Sequence, residues 1–227
     1  MTFDNIAAIA WDLDGTLLDS YGIYKQILSE VADEHGHQLP SDEVIMKNFH
    51  GHLDASIKAS LGLETDEEVA KAYERFLERQ EGHYDNDIEA HLFNDAIQLA
   101  QQAAEQGIPQ IIVTNRYHEG RGSASPRAIV AATALADCIN EIRCGDEVEF
   151  GKPDARSIGD WVEELKIPSE QLLVIGDQHV DAELAVNLGA RALLVGRNGD
   201  IPHLRKFEPG QGTVVESLHD IIVSKPE

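Results

Sequence analysis

Short apolar runs recur along the chain at Ile6–Trp11, Ile108–Val113, Ile142–Cys144, Leu172–Ile175, Ala192–Val195 and Thr213–Val215. Most are nearly continuous in apolar residues rather than alternating, the pattern of strands buried on both faces of a parallel sheet. Between most of them the apolar positions follow a helical period. Ile129, Val130 and Thr133 share one face, as do Ile158, Trp161, Val162 and Leu165, and again Leu184, Ala185 and Leu188. Residues 95–106 read as a further helix, stopped by Gly107, with Ile108-Pro109 entering the next strand. Strand alternating with helix predicts an α/β fold, a doubly wound, Rossmann-like parallel sheet covered on both sides. The tail from Ser217 predicts one short helix or strand and a frayed end.

One interval breaks this rhythm. Between Leu17 and about Ala90 no run reads as a strand. Tyr24, Ile27, Leu28 and Val31 lie on one helical face, and Val69, Tyr73, Phe76 and Leu77 on another. Gly36, Leu39-Pro40, Gly51, Gly62 and Gly82 punctuate the segment. This predicts a bundle of short helices over 17–90, inserted after the first strand of a core made from 1–16 and 91–227.

The chain has 227 residues, enough for an α/β core and a small appendage. Its 41 Asp and Glu against 18 Lys and Arg give a net charge of −23. That field disfavours nucleic acid and anionic membranes as partners, and it opposes any anionic ligand unless positive charge is gathered locally. No apolar run reaches membrane-spanning length, and residues 1–5 lack the pattern of a secretory signal. Cys138 and Cys144 suggest no disulfide framework. These features predict a cytoplasmic protein; they carry no signal for oligomeric state.

Chemistry-bearing residues gather where strands end. Ile9-Ala10-Trp11-Asp12-Leu13-Asp14-Gly15-Thr16 closes an apolar run with two aspartates two residues apart, which point the same way on a strand. Converging carboxylates repel, and a divalent cation such as Mg²⁺ together with a phosphate oxygen would hold them. Gly15 permits a tight turn whose N–H groups face an anion. Val113-Thr114-Asn115, Gly151-Lys152-Pro153 and Ile175-Gly176-Asp177-Gln178-His179-Val180-Asp181 bring a hydroxyl, an amide, a lysine and two more aspartates to other strand ends or to a loop before a helix. Ligands of open parallel sheets bind at that edge.

In this order, Asp-Leu-Asp-Gly-Thr, Val-Thr-Asn, Gly-Lys-Pro and Gly-Asp-x-x-x-Asp resemble the four motifs of the haloacid dehalogenase superfamily. The likeness covers nearly the whole chain. The helical insert resembles the cap of the subgroup that includes phosphoglycolate phosphatases and β-phosphoglucomutase. The resemblance implies a Mg²⁺-dependent phosphatase acting on a small-molecule phosphomonoester through an aspartyl-phosphate. It makes Asp12 the nucleophile and Asp14 the acid and base. It places Thr114, Asn115 and Lys152 on the phosphoryl group, with Lys152 also stabilising the transition state. The metal would take Asp12, Asp14 and Asp177, with Asp181 acting through water or from behind.

Two alternatives stand beside this reading: a sugar-phosphate phosphotransferase or mutase of the same superfamily, and a non-catalytic binding protein that kept the fold. Leu53, Asp54 and Ala55 follow His52 where a mutase would be expected to carry an arginine, which disfavours the first. The intact aspartates, threonine and lysine disfavour the second. His50-Gly51-His52 and Lys58 are candidate substrate contacts of the insert, by position alone. The segment 116–127 holds three arginines beside the site; its Gly and Ser content favours a solvated connection over a substrate loop.

Overall fold

The computed structural model describes residues 1–49, 53–197 and 212–226, so the His50-Gly51-His52 contacts lie outside the described residues. The chain divides into two units, Met1–Asp19 with Leu92–Glu227, and Ser20–His91.

The first unit is built on a parallel sheet. Its strands are β2 (Ala8–Trp11), β3 (Gln110–Val113), β4 (Glu141–Arg143), β5 (Leu172–Gly176), β6 (Arg191–Val195) and β7 (Thr213–Val215), in the spatial order β4-β3-β2-β5-β6-β7. The short β1 (Thr2–Phe3) pairs in parallel with β8 (Ile222–Val223), which places the predicted tail element as a strand. After β2 the chain steps outward through β3 and β4, then returns to β5 on the other side of β2. The topological switch point, where such sheets open a crevice, therefore lies at the carboxyl end of β2. Trp11 stands level with Ile112 of β3 and Ile175 of β5, so the residues that follow these strands emerge at one height.

Continuous apolar strands are what this layering requires. Ala8, Ala10, Ile111, Val113, Leu172, Val174, Ala192 and Leu194 alternate onto one face. That face packs on Ile158, Trp161 and Val162 near α7 (Gly159–Leu165) and on Ala182, Leu184 and Ala185 of α8 (His179–Leu188). The intervening Ile9, Trp11, Ile112, Leu173, Ile175 and Leu193 are fully buried as well. The helix α5 (Asn94–Glu105) packs against β3.

One polar side chain enters this core with every bond made. Gln110 accepts from Trp11 Nε1 at 2.8 Å and donates to the carbonyls of Ala100 at 2.8 Å and Cys138 at 3.2 Å. An apolar replacement would orphan an indole N–H and deprive the Cys138 carbonyl of its donor, each costing about 1–3 kcal/mol when buried, while the Ala100 carbonyl keeps its partner within α5. Gln110→Met is therefore expected to lower the unfolding free energy by about 2–4 kcal/mol in urea melts; an unchanged midpoint would mean that the knot contributes nothing.

The second unit is helical and contains no strand among its described residues: α1 (Ser20–His35), α2 (Asp42–Phe49), α3 (Leu53–Leu61) and α4 (Asp66–Asn86), closed by a 3₁₀ turn at Ile88–His91. Thr65 and Glu68 form a capping box at the start of α4. Tyr24 packs on Phe76 and Phe49 at ring separations of 5.3 and 5.2 Å. The expected face of α4 needs one correction. Leu77 is exposed, and the buried positions of the helix are Ala72, Phe76 and Tyr84; Leu77 lies one residue, about 100°, further round than Phe76. A second correction concerns Thr133, which lies beyond α6 (Pro126–Ala131) and donates its hydroxyl to the Ile129 carbonyl at 2.8 Å. No helix among the described residues is long and apolar enough to cross a membrane.

Candidate active site

The chain leaves β2 through a tight loop. Asp12 N–H donates to the Ile175 carbonyl at 2.8 Å, extending the sheet by one residue. Leu13 then accepts from the N–H groups of Leu17 and Leu18, and Gly15 donates to the Leu18 carbonyl. Gly15 has φ +81, and a Cβ there would stand 2.1 Å from Asp177 Oδ2. Glycine is required for both the turn and the approach of the β5 loop. Gly176 plays a similar part, since a Cβ on it would come within 2.2 Å of the Asp181 carboxyl. The packing of backbone against carboxylate is what brings aspartates from distant sequence positions into one place.

Four buried or nearly buried charges meet there. Lys152 Nζ lies 2.5 Å from Asp12 Oδ1 and 2.7 Å from Asp181 Oδ1, with only 3% of its side chain exposed. Asp181 spends its other oxygen on the Gln178 N–H at 3.0 Å, in the first turn of α8. Thr16 donates its hydroxyl to Asp12 Oδ2 at 3.3 Å. Asp177 Oδ1 is buried and has no hydrogen-bond partner among the described residues. One carboxylate oxygen from each of Asp12, Asp177 and Asp181 falls within 4.8 Å of the others. Among the described residues three carboxylates face one lysine, so ionising all three would leave two negative charges uncompensated.

The electrostatics follow from that imbalance. Burial pushes Asp12 up to about 7, helped by Asp181 and Asp14 and opposed by Lys152. Burial pushes Asp177 up to about 9, reinforced by Asp12 and Asp181 and opposed by Lys152. The same carboxylates hold the Lys152 ammonium above its ordinary range against the effect of burial. A divalent cation fits this donor set: all-oxygen ligands, an orphaned carboxylate oxygen and a charge of the right size. Asp177 could ligate it directly, and so could Asp12 through Oδ2, which takes only the 3.3 Å bond from Thr16; the Asp181 oxygens are held more tightly, by Lys152 at 2.7 Å and the Gln178 N–H at 3.0 Å.

The strand end of β3 and the lysine loop are tied to each other. Asn115 accepts from Lys152 N–H at 2.9 Å and donates to the Lys152 carbonyl at 3.2 Å. Gly151 and Gly145 allow this, because a Cβ on either would come within 2.7 Å or 2.5 Å of Asn115 atoms. The Asn115 side chain therefore positions the backbone of Lys152, a role distinct from the backbone contact with phosphate expected of it. Thr114 is buried, and its hydroxyl oxygen accepts from Arg116 N–H at 3.0 Å, which leaves its own proton to donate.

Asp12, Asp14, Thr114, Asn115, Lys152 and Asp181 line one pocket of about 130 Å³ with Arg116, Gln178 and Val180, and Asp177 stands beside them in the carboxylate cluster. The expectation of a solvated connection over 116–127 fails at its first residue. Arg116 pairs bidentately with Asp14, Nε to Oδ2 at 3.0 Å and Nη2 to Oδ1 at 2.5 Å, and its Nη1 donates to the Ala124 carbonyl at 3.0 Å. A guanidinium two residues after the Thr114 strand end was the only signal, and Gly-Ser composition masked it. Arg127, by contrast, pairs with the partly buried Glu147 at 2.8 Å, in keeping with a structural role.

Comparison with known proteins identifies the family. The family model of the haloacid dehalogenase-like hydrolases matches residues 9–195. A phosphoglycolate phosphatase of Rhodobacter capsulatus is 26% identical over 213 residues, covering 88% of this chain and 91% of its own. An N-acetylmuramic acid 6-phosphate phosphatase of Pseudomonas aeruginosa is 25% identical over 218 residues, covering 96% and 93%. Among solved structures, CbbY of Rhodobacter sphaeroides in complex with phosphate superposes with a TM-score of 0.65 at 19% identity, covering 95% of this chain and 96% of that one.

Proposed function

The chain belongs to the haloacid dehalogenase-like hydrolases, and from that premise we propose that it is a cytoplasmic, Mg²⁺-dependent phosphatase that hydrolyses a small-molecule phosphomonoester through an aspartyl-phosphate. One observation carries the reading: a buried lysine bridges Asp12 and Asp181 while Asp12, Asp177 and Asp181 converge within 4.8 Å at the switch point of the sheet. A binding protein gains nothing from burying that much unbalanced charge, which costs several kcal/mol per ion.

Asp12 attacks phosphorus in line, the ester bond to the leaving oxygen breaks, and Asp14 protonates that oxygen. Asp14 then takes a proton from water, which attacks the acyl phosphate, releases inorganic phosphate and regenerates Asp12. Thr114 donates its free hydroxyl proton to a phosphoryl oxygen. Lys152, held by the Asn115 clamp on its backbone, keeps its ammonium on the attacking carboxylate and on the charge spreading over the equatorial oxygens. Asp12, Asp177 and the Asp14 main-chain carbonyl would hold Mg²⁺, with Asp181 behind them or bridged by water. The chemistry that Mg²⁺ supplies there when bound is neutralisation of anionic oxygens in an acidic pocket.

Hydrolysis of p-nitrophenyl phosphate is expected in Mg²⁺ and lost in EDTA. The same ion is expected to protect against heat in a pH-dependent way. Asp12 and Asp177 are raised from 3.8 to about 7 and about 9. Between about pH 4 and those values the folded state binds more protons than the unfolded one, so the metal-free fold loses stability as pH rises through that window. Mg²⁺ needs both groups ionised, so its stabilisation should grow from pH 6 to pH 9 in thermal melts with and without EDTA. No hydrolysis under any condition, with a melting shift independent of pH, would refute the reading.

A further inference from the structure

A second buried ion pair lies in the first unit, and the reaction described above makes no use of it. Arg197 follows β6 by two residues, on the side of β2 away from β3. Its guanidinium grips Asp95 in the first turn of α5, with Nη1 at 2.9 Å from Oδ2 and Nη2 at 2.8 Å from Oδ1. The guanidinium carbon stands 4.0 Å from the centre of the Phe93 ring. Asp95 is saturated, since it also accepts from the Ser217 hydroxyl at 2.8 Å, the Leu218 N–H at 2.8 Å and the Ala96 N–H at 2.9 Å. Burial raises its carboxyl, but the bonds from Arg197, Leu218 and Ser217 prevail and hold it down at about 2, so the pair stays ionised at neutral pH. A pair that served only to staple α5 to the strand ends would stop at these bonds. Arg197 makes one more: Nη2 lies 3.4 Å from the carbonyl oxygen of Thr16, in the loop that carries Asp12.

That loop is held from two other segments. The Leu17 carbonyl accepts from the Phe93 N–H at 2.9 Å, and the Thr16 carbonyl beside it accepts from the guanidinium stacked on the Phe93 ring. The Thr16 hydroxyl in turn donates to Asp12 Oδ2, while Lys152 Nζ bonds Oδ1. The terminal torsion of an aspartate is broad, and holding both oxygens is what fixes its rotation. Resting on the phosphatase reading above, we infer that Arg197 is a positioning residue of the reaction: anchored on Asp95, it holds the Thr16 carbonyl, and through the Thr16 hydroxyl it keeps the Asp12 carboxylate turned for in-line attack. The planar fork of an arginine serves both partners from one fixed plane. A lysine at 197 pairs with Asp95 as a point charge but does not hold the Thr16 carbonyl at the same time.

The experiment is a double-mutant cycle of Arg197→Gln and Thr16→Val in the intact protein, with Mg²⁺ and p-nitrophenyl phosphate, at a temperature where circular dichroism shows each variant folded. Arg197→Gln should lower kcat by about 10- to 100-fold, the range for a misplaced reacting group, with KM within about threefold of wild type because no phosphate-binding group is removed. In the Thr16→Val background the same substitution should change kcat by less than about threefold, since the hydroxyl through which it acts is gone. Thr16→Val keeps the carbonyl, so the shift in urea midpoint caused by Arg197→Gln should be the same in both backgrounds. A kcat for Arg197→Gln within threefold of wild type would overturn the inference. So would a fall of equal size in the two backgrounds, the mark of a purely structural staple, or a rise in KM with kcat unchanged. Should Arg197→Gln not fold, Arg197→Lys keeps the charge on Asp95 and is expected to lower kcat by about tenfold, again only when Thr16 is present; wild-type kcat in this variant, or an equal fall without the Thr16 hydroxyl, would overturn the inference as well. Failure of the underlying phosphatase reading looks different: no ester, p-nitrophenyl phosphate included, would be turned over by the wild type.

Discussion

Asp12→Asn abolishes phosphate release, by about 10⁴-fold or more in kcat, while leaving the fold at least as stable as the wild type. Loss of a nucleophile removes the covalent route altogether, and knock-outs of such residues in other hydrolases fall in that range. The stability half of the prediction comes from burial. Asp12 is almost inaccessible and its carboxyl is pushed up to about 7, so ionising it in the fold is unfavourable despite the lysine. An amide of the same shape removes one of three crowded negative charges; its oxygen can still accept from Lys152 Nζ, and its NH₂ can donate to the Thr16 hydroxyl oxygen. Steady-state phosphate assays and urea melts of the same preparation check both halves. Activity within tenfold of wild type would remove Asp12 as the nucleophile. A collapse of activity together with the fold would leave its role open to a structural explanation, which Asp12→Glu, a carboxylate set one methylene off the attack line, would then separate.

Lys152→Met has the second largest expected effect, and it reaches stability as well as rate. Among the described residues the ammonium is the one cation bonded to Asp12 and Asp181, and its loss leaves the cluster with no positive charge from them in contact. Breaking a buried ion pair from one side costs about 3–5 kcal/mol, and kcat should fall by about 10³-fold with the loss of transition-state stabilisation. The sign of the pH dependence follows from the same groups. Without Lys152 the force that lowers Asp12 and Asp177 disappears, so both folded-state values rise further above 3.8. The folded variant then binds more protons than the unfolded chain over a wider window, and its stability falls more steeply than that of the wild type from pH 5 to pH 8. Mg²⁺ should return part of that loss at pH 8 and little at pH 5. Urea melts at the two pH values, with and without EDTA, provide the measurement; a variant whose stability ignores both pH and Mg²⁺ would show that the lysine does not hold the carboxylates together.

Much of the molecule is legible in the chain because its strands are short, apolar and buried on both faces. Residues 8–11, 111–113, 172–175 and 192–195 carry that pattern unbroken, and β7 matches its predicted bounds, Thr213–Val215. The helical character of the described residues between 20 and 91 is legible from period and glycine punctuation. Asp12, Asp14, Thr114, Lys152 and Asp177 stand out because each follows a strand or sits in a short loop, where side chains escape the layers of the sheet, and Asp181 because it lies in the first turn of the helix after β5. Their candidate roles come from order and spacing together, which no single motif supplies.

Tertiary structure decided what spacing along the chain does not encode. Periodicity places a residue on a helix face but does not say where that face stops being covered, and so Leu77 is exposed although its spacing groups it with Phe76. Composition marks 116–127 as polar and flexible, yet the charge on Arg116 is neutralised by Asp14, a residue 102 positions away in sequence. The Asn115 clamp on Lys152, the orphaned oxygen of Asp177 and the committed oxygens of Asp181 likewise depend on loops from three different strand ends meeting at angstrom precision. Local patterns record burial, because each residue meets the solvent or the core by itself. Partnerships between charges belong to pairs, and only the fold chooses the pairs.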